Sequence, residues 1–203
     1  FSSTQNSKKM VQKSKILGEC YLIFVTVGTT NFKFNRLFNS IERALINLKL
    51  KTKLVVQIGK SAYKWKYRNV ISKSFFTPRT MNYYFSKADR IITHGGPSSL
   101  FLISQKAKVM PLVICRLRKY KEHTDDHQKY FVTFLKKKSP TRLKKYFNDN
   151  EFIYKPILDY IKHKPDFNHL NDFLFSKSNK NLLIRRLHEY INSLECTSRI
   201  IRP

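Results

Sequence analysis

The sequence is short of acids, short of cysteine and without a long apolar stretch, and each shortage excludes something. Thirteen Asp and Glu stand against 40 Lys and Arg, a formal net charge of +27. Such a chain favours anionic company: nucleic acid, an anionic membrane surface or phosphorylated ligands. A compositional bias toward Lys, Asn, Ile and Phe is the rival explanation of the same excess. Three cysteines, Cys20, Cys115 and Cys196, are far apart and lack any CxxC pairing, which suits a reducing cytosol rather than a disulfide framework. The longest strongly apolar run near the start, YLIFVTV, has seven residues, far below the ~20 that span a bilayer. With no cleavage site either, no signal peptide and no membrane helix are expected. There is no GxGxxG, no GxxxxGK[ST], and no helix-turn-helix, zinc or RNP-type pattern.

What is present is an alternation. The 203 residues, 41% apolar and 14% aromatic, suit one domain with a decorated tail. YLIFVTV (21–27) is continuous and β-branched, as in a strand buried on both faces. Phe34, Leu37, Phe38, Ile41, Leu45 and Leu48 recur at helical spacing, which predicts an amphipathic helix over 33–48. Strands follow at 53–59, 69–76, 90–94 and 109–116. Helices are predicted from Pro78, from Pro97 to about Lys106, and over 125–137. This rhythm predicts an α/β, Rossmann-like parallel sheet with helices on both faces. Residues 1–18 read as a flexible arm, 19–137 as the ligand-binding domain, and 138–203 as a charged connector with C-terminal helices at 152–162 and 179–194. Those helices pack on the same domain or on a partner.

In such sheets ligands sit beyond the carboxyl ends of the strands, where three polar turns fall. In HGGPSS, Gly95 and Gly96 admit close approach of a ligand. Pro97 suits the first helical position, and the Ser98 and Ser99 amides at the helix start make an anion site for a diphosphate. An ordinary strand-to-helix connection explains the same residues. In GTT, Gly28, Thr29 and Thr30 form a second nest, or Thr30 or Asn31 is simply a helix cap. In EHTDDHQ, Glu122, His123, Asp125, Asp126 and Gln128 suit sugar or ribose hydroxyls, with helix capping as the alternative for the two Asp. His123 and His127 are spaced i, i+4, but Thr124 stands where HExxH needs Glu, so no metal is expected. The segment KSAYKWKYR (60–68) reads either as an interface element or as a solvated loop.

FVTVGTTNFKFNRL, VVQIGKS, YFSKADRIITHGGPSSL and RKYKEHTDDHQ, in this order, resemble the donor-binding subunit of a split GT-B glycosyltransferase. The kinship is with PssE/EpsF-type capsule and exopolysaccharide subunits, the glycosyltransferase family 28 C-terminal domain, and more distantly MurG. The resemblance covers about residues 21–135. It implies the C-terminal half of a GT-B fold that binds a UDP-sugar, and a separate membrane-anchored subunit carrying the acceptor site. A hexose such as galactose or N-acetylglucosamine would pass to a lipid-diphosphate-linked acceptor at the cytoplasmic face of an anionic membrane. No metal or other cofactor and no nucleic acid are implied. By the resemblance, Gly28 and Thr29 lie near the reacting end of the donor and His94 to Ser99 hold the diphosphate. Glu122, Asp126 and Gln128 face hydroxyls, and His94 is the candidate catalytic residue, as a general acid or an orienting donor. Relatives often carry a ribose-gripping Glu on the helix after the glycine turn. Here that helix reads SSLFLISQK, leaving Gln105 or Glu122 as substitutes. A basic nucleic-acid-binding protein and a non-catalytic enhancer of a partner transferase are the competing readings.

Overall fold

The computed structural model describes residues 22–170 and Leu174. Six parallel strands form one sheet in the order β3-β2-β1-β4-β5-β6. They are β1 (Leu22–Thr26), β2 (Lys53–Gln57), β3 (Val70–Lys73), β4 (Arg90–His94), β5 (Leu112–Ile114) and β6 (Phe147–Asn148). The helices are α1 (Asn35–Asn47), α2 (Pro78–Lys87), α3 (Pro97–Lys106), α4 (His127–Lys138) and α5 (Tyr154–Lys162). The apolar runs take the centre: Ile23, Phe24 and Val25 of β1 and Ile91 and Ile92 of β4 are wholly buried. β3, at the edge, is largely exposed.

The order from β1 outward reverses after β3. Right-handed crossovers running in opposite directions put their helices on opposite faces. Accordingly α1 packs with α5, and α2 packs with α3. The strand order reverses between β1 and β4, and ligands of this fold class bind outside the carboxyl ends of the strands at such a point.

The structure places two segments for which the sequence left alternatives open. The residues after 137 continue the domain: β6 pairs with β5, and α5 inserts Tyr160 between neighbouring strands. The Tyr160 hydroxyl accepts from the Ile91 amide at 3.0 Å and donates to the Met110 carbonyl at 2.7 Å. The first compact unit runs to Asn168. The segment 60–68 lies on α1. Tyr63, Trp65 and Tyr67 are half-buried while Lys64, Lys66 and Arg68 face out, the period of an extended chain. Buried Glu42 holds it, accepting from the Tyr63 hydroxyl and from the Lys66 and Tyr67 amides. The predicted arm (1–18), the helix at 179–194, Cys20 and Cys196 lie outside the described residues. Among the described residues no helix is long and apolar enough to cross a membrane.

Candidate functional site

The carboxyl edge between β1 and β4 is occupied by one side chain, His94. Its imidazole lies against two glycines from different turns. A Cβ on Gly28 would stand 2.7 Å from Nε2, and one on Gly96 would stand 2.3 Å away. Gly28 also has φ +75, a left-handed conformation that favours glycine. Gly95 is excluded from a side chain by α4, since its Cβ would meet Val132 Cγ2 at 2.7 Å. The glycine pair therefore answers first to internal packing: Gly95 seats α4 and Gly96 makes room for a histidine.

Beyond the glycines the helix mouth stays open. α3 begins at Pro97 with Gly96 as its cap residue, and no side chain caps it. Ser98 is exposed and Ser99 half-buried. Helix starts leave backbone N–H groups without helical partners and carry partial positive charge, so this mouth can receive an anion. In the turn after β1, Thr29 is exposed, and Thr30 Oγ1 is buried without a hydrogen-bond partner.

Burial drives the His94 pKa down from 6.5 to about 3, helped by the Arg116 charge and the rings of His123 and His127, against a pull from the Thr26 carbonyl. The ring is thus neutral at neutral pH. It can orient a group by hydrogen bonding, and it holds no imidazolium proton to give as a general acid.

The EHTDDHQ loop is built differently. Glu122, 3% exposed, receives Arg36 of α1 through two bonds of 2.9 and 2.8 Å, and also the Leu117 amide at 3.0 Å. Its carboxylate is committed to the fold, contrary to the hydroxyl-binding role expected of it. Gln128 is also buried, with Oε1 accepting from the Arg116 amide at 3.4 Å. Asp126 ties the loop through the Arg118 amide at 2.9 Å and, with Leu117, Lys119 and Lys129, lines a cavity of about 170 Å³. Asp125 accepts from the His127 amide at 3.1 Å. Gln105 is the ninth residue of α3, about 12 Å along the axis from Pro97 at 1.5 Å per residue. Its side chain is exposed.

Arg116 escaped the sequence reading. It is wholly buried at the end of β5. Its guanidinium donates to the carbonyls of Val27 (2.7 Å), Phe32 (3.1 Å), Lys33 (3.3 Å) and Glu122 (3.1 Å), and lies 4.6 Å from the Phe34 ring centroid. One side chain thereby fastens the turn after β1 to the loop after β5. The available signal was a charged residue ending an apolar strand, which demands partners. Gln57 does similar service, donating to Thr26 Oγ1 and the Gly28 carbonyl at 3.2 and 3.3 Å.

The glycosyltransferase family 28 C-terminal domain matches residues 22–146, a span holding both turns and the loop. No curated protein matches the chain. Among solved structures, the crystal structure of CalG4, the calicheamicin glycosyltransferase, is similar at 11% identity and a TM-score of 0.40. That likeness covers 87% of this chain and 44% of that one, so the chain spans less than half of CalG4.

Proposed function

Because the chain belongs to the glycosyltransferase family 28 C-terminal domain family, we propose that it is the donor-binding half of a two-component glycosyltransferase. It binds a UDP-sugar at the carboxyl edge of the sheet beside His94, with the diphosphate on the N-terminus of α3. The observation that carries this is the uncapped start of α3 beside the strand-order reversal. In the reaction an acceptor hydroxyl attacks the anomeric carbon. The bond from that carbon to the diphosphate oxygen breaks, and UDP leaves with the electron pair. Negative charge grows on the leaving oxygen, and the Ser98 and Ser99 amides with the helix dipole meet it. His94, neutral and fixed between the two turns, orients the donor. The hydroxyl proton goes to a base on the partner subunit. Thr29 and Thr30 flank the sugar.

The sugar is a hexose, galactose or N-acetylglucosamine. The acceptor is a lipid-diphosphate-linked glycan of polysaccharide biosynthesis, presented by a membrane-anchored subunit at the cytoplasmic face. The excess of 27 positive charges favours that anionic setting, at about 1 kcal/mol per Lys or Arg near the surface. The test is thermal unfolding with UDP-sugar, UDP, uridine or duplex DNA added. Protection by UDP and UDP-sugar, absent with uridine, is expected. Salt-sensitive DNA binding without UDP protection would overturn the proposal. Turnover that appears only on adding the membrane subunit would establish the split enzyme.

A further inference from the structure

We propose that His123, Asp125 and His127 form a binding site for a divalent transition-metal ion of the zinc, cobalt or nickel kind. Each side chain offers one ligand atom, and these atoms lie within 4.8 Å of one another. They converge on one carboxylate oxygen: Asp125 Oδ1 is 3.5 Å from His123 Nδ1 and in close contact with His127 Nδ1. Zinc bonds of about 2.0–2.2 Å put neighbouring tetrahedral ligand atoms about 3.3 Å apart. Small side-chain rotations therefore suffice.

The sequence argued against a metal because Thr124 stands where the HExxH motif, which sits on a helix, needs its Glu. The backbone here does not follow that helical template. Residues 123–126 are bends, and α4 starts only at His127, so the His-x-Asp-x-His alternation folds back on itself. The His123 ring is held by stacking on Phe32, 5.4 Å between centroids and 29° between planes. The two imidazoles meet edge to face at 4.4 Å. An Asx turn at Asp125 explains the bond to the His127 amide, but not a second histidine brought to the same oxygen. Two imidazoles and one carboxylate suit zinc, cobalt and nickel rather than magnesium or calcium, which prefer all-oxygen sets. Three protein ligands leave an open position. Lys121 and Lys129 in the same segment oppose a cation and weaken its binding. This site goes beyond the proposed function, whose diphosphate contacts are main-chain amides.

Cobalt(II) titrated into the full chain, read by visible d–d absorption and by equilibrium dialysis, tests it. One saturable equivalent, displaced by zinc, is expected. His123→Gln with His127→Gln should weaken binding at least tenfold. Asp125→Asn keeps the side chain's size and the amide bond. It should weaken cobalt binding similarly while leaving the metal-free melt almost unchanged. No saturable binding, or binding that survives the double substitution, overturns the proposal. UDP protection measured on the same samples separates the two proposals. Cobalt bound without UDP protection defeats donor binding alone, and UDP protection without cobalt defeats the metal site alone.

Discussion

The turn after β4 and the loop after β5 leave the sheet at the same edge, and both are dense in polar residues. They differ in where the polar groups find partners. Around the loop after β5, Glu122, Arg36, Arg116 and Gln128 bind one another and the backbone. In the turn after β4 the Ser98 and Ser99 side chains lie exposed or half-buried at the helix start, and His94 Nδ1 is buried without a partner. The uncapped start itself is shared with α4. Polar composition is therefore a poor guide to ligand contact. What marks a ligand site is polar capacity left over once the chain has satisfied itself.

The strongest test of that contrast breaks the Arg36–Glu122 ion pair. Glu122→Ala takes two bonds from half-buried Arg36, which keeps those to the Glu151 and Cys115 carbonyls. It also removes the acceptor of the Leu117 amide. Hydrogen bonds to charged groups are worth about 2–3 kcal/mol, a fall in melting temperature of roughly 5–8 °C. UDP affinity of the folded protein should hold. A normal melt with lost UDP binding would return Glu122 to the ligand.

Protonation of His94 comes next. The unfolded histidine titrates near 6.5 and the folded one near 3. Between these values the unfolded chain binds more protons, so stability falls as pH falls. It is complete above about 6.5 and is lost progressively down to about 3. Between pH 7 and 5 this amounts to about 2 kcal/mol. Urea unfolding at the two pH values should show a smaller difference in His94→Gln than in the wild-type chain; equal differences would mean that His94 is not a buried neutral ring.

Ser98→Asp probes the open turn itself. A carboxylate in the first turn of a helix stabilises it by about 0.3–1 kcal/mol, yet here it would occupy the anion site. UDP binding should weaken at least tenfold, about 1.4 kcal/mol, with the melt unchanged or slightly raised. Gly96→Asp is a poorer probe, because its Cβ would strike His94. Smallest of all, Lys64→Ala in the segment on α1 should shift stability by under about 0.5 kcal/mol, since its side chain faces outward.

Much of the fold was legible in the residues. Strand β4 and helix α3 fall where RIITH and PSSLFLISQK put them, because a β-branched run closed by Gly-Gly-Pro leaves little choice. The strand at 109–116 shrinks to Leu112–Ile114, since Pro111 lacks an amide for the ladder. β6 was invisible: two residues cannot show a period. At the site, the glycines and serines were found, but their reasons were not, because the need for Gly96 comes from a ring that only tertiary structure places there. Arg116 and Arg36 were missed because their partners lie 79 or more residues away or are backbone carbonyls, which no local pattern records.

The most direct measurement is of the amide resonances of Ser98 and Ser99 during titration with UDP and, separately, uridine. Both should move saturably with UDP and stay still with uridine, because the diphosphate is what the helix start holds. UDP binding that leaves both amides unmoved would place the nucleotide elsewhere and contradict a pyrophosphate seated on α3.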